Sequence, residues 1–273
     1  RIAIIMLKYF NIYILIGVLL LFPFVYNSNS DEYEKRYSDL INKQLVERCY
    51  EKQGWGQNDS PFGAFNCSYV FLGVPYKNNT LIGNMDIKEK FVINLEGMDC
   101  FTYIDYVHAL NLSRDYYDFV DNLKLTRYKK GSVSFKTRNH FFYDWSLNVN
   151  GIKDVTKDIR EEKITTVRKT LNLKKDGSLF LDGIPTRKVK ISYIKSKFIT
   201  PGYLMWLIPG DYIGIYSEEE GLDVSHVGIL FVSKDDKYYF RHASSIEGKV
   251  VDVDFIEYIK DKPGIIVYRY YDL

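Results

Sequence analysis

Met98-Asp99-Cys100-Phe101-Thr102-Tyr103 is the stretch on which the reading of this chain turns, because it changes there from loop to helix. Asp99 is a residue type that caps helices by accepting the free N–H groups of the first turn. After it, Phe101, Ile104, Val107 or His108, and Asn111 or Leu112 recur at helical spacing, which predicts a helix that opens at Cys100 and buries one face. A helix N-terminus carries about half a positive charge and several unpaired N–H groups, which favour a thiolate over a thiol. Cys100 therefore reads either as a poised nucleophile or as a small buried hydrophobe, or as half of a disulfide with Cys49 or Cys67; the residue alone does not separate these.

Downstream, Asp211 to Tyr216, Val224 to Val232, Tyr238 to Ala243 and Ile265 to Tyr270 are rich in Val, Ile, Tyr and Phe and are separated by turn residues at Gly221 and Lys234-Asp235-Asp236. They predict an antiparallel sheet. Helical segments first and strands later give an α+β class rather than an alternating parallel one. Two of the four histidines fall in these strands, as Ser225-His226-Val227-Gly228 and Arg241-His242-Ala243-Ser244. A three-residue hairpin loop at 233–235 would set His226 directly opposite His242, with Cβ atoms about 5 Å apart. A loop at 234–237 would instead oppose Ile229 to His242 and separate the two rings, and the sequence leaves both registers open. In the first, Cys100 is the nucleophile, His226 its base and His242 the group that orients the base, with the Cys100 N–H as an oxyanion donor.

The rest of the chain narrows the class. Its 37 basic and 35 acidic residues nearly cancel, which leaves no cationic footprint for nucleic acid. Residues 1–30 have Arg1 and Lys8 ahead of an apolar run that Pro23 interrupts, the layout of a signal peptide or N-terminal anchor. The expectation is an exported protein of the periplasm or cell envelope, with room for transient membrane association through that segment. Residues 31–273 read as one domain with a polar N-terminal helical extension over 31–50; the charged stretch at about 150–200, with turns at Asp176-Gly177 and Asp182-Gly183, reads as an insertion or subdomain. In an oxidising compartment Cys49 and Cys67 could pair and leave Cys100 free. Two histidines and a cysteine could also bind zinc, but no ligands stand at short metal-site spacing, so no metal and no cofactor is expected.

In order and in residues, Asp99-Cys100 at a helix start, Ser225-His226-Val227-Gly228 and His242-Ala243-Ser244 resemble the NlpC-type papain-like cell-wall cysteine hydrolases. Within them, Phe71-Leu72-Gly73-Val74-Pro75-Tyr76, Val92-Ile93-Asn94-Leu95, Arg138-Asn139-His140-Phe141, Asp144-Trp145 and Gly210-Asp211-Tyr212-Ile213-Gly214 are similar to an N-acetylmuramoyl-L-alanine amidase-like branch, formerly a domain of unknown function. The likeness runs from about residue 65 to the end. It implies a papain-like fold with Cys100 as nucleophile, His226 as base and His242 as third catalytic group. It also implies Tyr76 beside the nucleophile; Asp99, His140, Trp145 and Ser225 are further candidates for the substrate side, with a helix cap the favoured reading of Asp99 and packing as readable as binding for His140. The implied reaction is hydrolysis of the amide between N-acetylmuramic acid, or its anhydro form, and the stem L-alanine, on peptidoglycan or soluble muropeptides. The alternatives are an endopeptidase cutting between D-glutamate and the diamino acid, and an inactive wall-binding module. Arg127 and Arg138 carry forks suited to a carboxylate and stay unassigned.

Overall fold

Asp99 does what its position predicts. Its Oδ1 accepts from the N–H groups of Phe101 (3.0 Å) and Thr102 (2.7 Å), while Thr102 Oγ1 accepts the Asp99 N–H at 3.0 Å, a reciprocal capping box that starts helix α1, Cys100–Asn111. The computed structural model describes residues 42–47, 49, 67–159 and 161–271. Helix α1 differs from the one-faced helix expected: Thr102 through Leu110 are buried without interruption. Helix α2 (Tyr116–Arg127) packs on one side of it and the sheet on another, so its polar residues are buried too and must find partners. Asp105 accepts from Arg127 Nε at 3.0 Å and from Trp145 Nε1 at 3.1 Å, and His108 Nδ1 meets the Tyr212 hydroxyl at 3.0 Å.

The sheet has eight strands: β1 (Ile152–Asp154), β2 (Ile164–Leu171), β3 (Arg187–Lys195), β4 (Tyr212–Tyr216), β5 (Val224–Val232), β6 (Tyr238–Ser244), β7 (Lys249–Asp254) and β8 (Gly264–Tyr270). Its order is β2-β3-β8-β4-β5-β6-β7, with β1 also on β8, and the pairs are antiparallel. The four expected strands are there; β7 was not foreseen. The charged 150–200 stretch contributes β1, β2 and β3 to this same sheet and is continuous with it. The remaining α-helices beyond residue 68 are short: α3 (Phe142–Asn148), α4 (Thr156–Ile159) and α5 (Phe255–Ile259).

Alternation along the strands sorts the core onto two faces. In β8, Ile266 and Tyr268 join the cluster that contains α1 and α2, whereas Ile265 and Val267 join a second cluster with Phe240, Phe255 and Ile259. Cys49 and Cys67 form a disulfide with Cα atoms 5.3 Å apart, and Cys100 is the free cysteine. Residues 42–47 and 49 are helical, in line with the expected extension; the remainder of 31–50 and the segment 1–30 lie outside the described residues. No helix among the described residues is long and apolar enough to cross a membrane.

Candidate active site

The hairpin between β5 and β6 has neither of the expected registers. Val232 pairs with Tyr238 and Ile229 with Arg241, so the loop is the five residues Ser233–Lys237. Ser233 holds it closed, donating its N–H to the Lys237 carbonyl at 2.8 Å and accepting from Lys237 N–H on its hydroxyl at 3.2 Å, with Asp236 in the left-handed region (φ 55°). The shift relative to the three-residue loop is two residues, which preserves the face each side chain points to. Continuing that register places His226 diagonally from His242 rather than opposite. The rings still meet: His226 Nε2 and His242 Nδ1 are 2.7 Å apart, the rings nearly perpendicular.

Two local departures from a regular ladder aim these groups. Ile215 pairs with His226 and Tyr216 with Val224, so Ser225 is the extra residue of a β-bulge. Its side chain is exposed, with a long 3.4 Å contact from Oγ to the Ile215 carbonyl. The β5–β6 ladder runs from Val232↔Tyr238 to Ile229↔Arg241, and beyond it the backbone N–H of Val227, with those of Cys100 and Phe101, acts to lower the pKa of the Cys100 thiol. Cys100, His226, Ser225 and His140 thus line one cleft with Phe141, Leu222 and Val224.

Tyr76 reaches the same place by a separate route. Segment 73–77 is stitched to β7 through Gly73 N–H to Val250 O (2.9 Å), to the residue before β7 through Tyr76 N–H to Gly248 O (2.8 Å), and to the residue before the cap through Lys77 N–H to Met98 O (3.0 Å). Burial, then the nearby Cys100 and Asp99, push the Tyr76 hydroxyl pKa up. Tyr258 of α5 was missed by the sequence reading; its ring lies 5.0 Å from His242 and 6.3 Å from His226. Nothing in a lone tyrosine on a five-residue helix could have flagged it.

Trp145 is a correction. It is fully buried, donates its indole N–H to Asp105 and stacks on Phe142, so it is core and does not reach the cleft. Arg127 is core as well, fully buried against Asp105 and the Val92 carbonyl, which it reaches at 2.6 Å. Asp99 serves as the cap. His140 faces the cleft with Nε2 at 2.7 Å from the Phe135 carbonyl.

Electrostatics correct the thiolate expectation. Burial, followed by the Asp99 carboxylate, pushes the Cys100 thiol up to about 12 despite the backbone N–H groups that lower it. Burial, followed by the charge of His242, depresses His226 to about 3, and burial depresses His242 to about 4 although Asp252 works the other way. Burial thus favours the neutral forms of the thiol and of both imidazoles. Among the described residues no three His, Cys, Asp or Glu side chains come together as a metal site.

Residues 66–265 match the model of the N-acetylmuramoyl-L-alanine amidase-like family. No curated relative matches the chain significantly. Two crystal structures described as an N-acetylmuramoyl-L-alanine amidase from Bacteroides uniformis ATCC 8492 are similar to it, one at 30% identity over 78% of this chain and 99% of that one (TM-score 0.66), the other at 28% over 79% and 100% (TM-score 0.65). A protein from Legionella pneumophila shares the fold at 24% identity over 89% of this chain and 97% of that one (TM-score 0.71). With a mixed α+β fold on an antiparallel sheet and a family match over most of its length, the chain belongs to the N-acetylmuramoyl-L-alanine amidase-like family.

Proposed function

We propose that this protein is a peptidoglycan amidase with an NlpC-type papain-like site, which hydrolyses the amide between N-acetylmuramic acid, in its free or 1,6-anhydro form, and the L-alanine of the stem peptide. The observation that carries the cysteine mechanism is the His226–His242 contact in the cleft that also holds Cys100. Nε2 of His226 is taken by His242, which leaves Nδ1 to accept the thiol proton. For Nδ1 to be free, Nε2–H must donate to His242 Nδ1, so His242 fixes the tautomer as well as the ring.

The Cys100 sulfur attacks the lactyl carbonyl carbon as His226 takes its proton, and the oxyanion faces N–H groups at the start of α1. His226 then passes that proton to the leaving L-alanine nitrogen as the C–N bond breaks. Water, deprotonated by His226, hydrolyses the thioester and restores the thiol. Because both partners rest neutral, charge separates only as the S–C bond forms.

Location fits the substrate: residues 1–30 would export the chain to the periplasm or envelope, and residues 31–273 would act as one amidase domain. The test is incubation of wild type and Cys100→Ala with a defined anhydro-muramyl tetrapeptide and mass spectrometry of the products. Release of the intact peptide by wild type alone is expected. Cleavage within the stem would replace the bond with that of an endopeptidase, and no cleavage by either protein would favour a wall-binding module.

A further inference from the structure

Beside the cleft lies a second recess, and the two share His140 and Phe141 in their walls. Lys129, Lys136, Arg138 and Arg187 line it, against one carboxylate, Asp144. The recess is built rather than incidental. Tyr128 bridges Arg138, and the Asn139 N–H donates to the Arg127 carbonyl at 2.9 Å, which closes the loop that carries both lysines. Arg138 is clamped by nearly buried Glu89, Nε to Oε1 at 3.0 Å, and Glu89 also accepts the Tyr128 hydroxyl at 2.7 Å. Arg187 pairs with Asp144 across the rim. Lys129 and Lys136 enter no ion pair among the described residues, so the recess presents unneutralised positive charge.

We infer that this recess is a subsite for the carboxylates of the stem peptide, which orients the scissile amide so that the peptide lies toward Lys129 and Lys136 and the sugar lies away from them. The inference rests on the amidase reading for its substrate. In that substrate the muramoyl side is uncharged, since its lactyl carboxyl is tied up in the amide, while the stem peptide carries side-chain and terminal carboxylates. A basic wall contiguous with the nucleophile therefore discriminates between the two halves. Arg138, its fork taken by Glu89, fixes the shape of the wall, and the two lysines supply mobile charges that can follow carboxylates at different positions along the stem.

The experiment uses the full chain with Cys100→Ala, so that ligand is bound but not turned over. Calorimetry compares the free stem tetrapeptide with its fully amidated counterpart. Lys129→Glu with Lys136→Glu is expected to weaken the acidic peptide by roughly tenfold, the scale of two exposed charge contacts converted to repulsion, and to leave the amidated peptide unchanged. Lys234→Glu with Lys237→Glu, in the β5–β6 loop, is the charge-matched control and should change neither. Equal binding of the two peptides, or loss of affinity in the control pair alike, would overturn the subsite. Failure to bind either peptide would overturn it too. Failure of the amidase reading appears elsewhere, as intact anhydro-muramyl tetrapeptide after incubation with wild type, and leaves the peptide comparison to judge the recess by itself.

Discussion

Asp99 has two opposed effects on Cys100. As cap it organises the first turn of α1 and so the N–H groups that reach the sulfur; as a carboxylate it raises the thiol pKa. Asn caps helices about as well as Asp but carries no charge. Asp99→Asn should therefore keep the fold and make Cys100 more reactive toward iodoacetamide at pH 8, by up to about tenfold for each pKa unit recovered. An unchanged alkylation rate would show that burial alone holds the thiol. In the wild type, alkylation should be slow at pH 7 and climb steadily toward alkaline pH. Hydrolysis should keep its neutral His226 well below the ordinary histidine range of about 6.5, since both imidazoles are depressed to between about 3 and about 4. An acid limb in the rate profile near pH 6.5 would contradict that.

At the scale of elements, the site depends on how closely β5 and β6 approach. Gly228 faces Phe240 so tightly that an added Cβ would lie 2.6 Å from its ring and 2.7 Å from the Arg241 carbonyl. Gly228→Ala should push the strands apart beside the His226–His242 pair, lower stability by about 1–3 kcal/mol and depress activity further than stability. Thermal melts and rate measurements on the same preparation check it. The existence of this hairpin was legible from Val, Ile, Tyr and Phe runs flanking Lys234-Asp235-Asp236. Its loop length was not, because Ser233 closes the turn with hydrogen bonds on both its N–H and its hydroxyl, and no residue pattern announces that. The Ser225 bulge was hidden for a similar reason: it is a mismatch between two strands, and neither strand encodes it alone.

Across the whole molecule, the full or partial burial of all four histidines ties stability to pH. His108 and His226 are depressed to about 3, and His140 and His242 to about 4, each chiefly by burial. The unfolded chain binds more protons than the folded one between those values and about 6.5, so stability is full above about 6.5 and is lost as pH falls toward 4. Asp105, pushed up to about 6 by burial, and Asp211 and Asp223, also raised by burial, work in the opposite sense and offset part of this loss. Urea unfolding at pH 7 and pH 5 should show the lower midpoint at pH 5. The Cys49–Cys67 disulfide spans 18 positions and ties the N-terminal helical residues to the segment before Tyr76. Its removal by paired Cys→Ala substitution should cost about 3 kcal/mol and leave one titratable thiol, Cys100. A thiol assay that finds three in the unreduced wild type would refute the pairing.

What the sequence by itself determined is local. The Asp99 cap, the helix start at Cys100, four of the strands, and the candidates Cys100, His226, His242, Tyr76 and His140 all follow from residue type and spacing, or from motifs that resemble a family. Tertiary structure decided what depends on neighbours remote in the chain. It sent Trp145 and Arg127 to the core, because Asp105 on a helix buried all round needs hydrogen-bond donors. It folded the charged 150–200 stretch into the sheet, where β2 and β3 extend an edge that β8 offers. It also reversed the expected effect on the thiol, since the helix terminus that favours a thiolate was readable in one dimension, whereas the burial that outweighs it exists only in three.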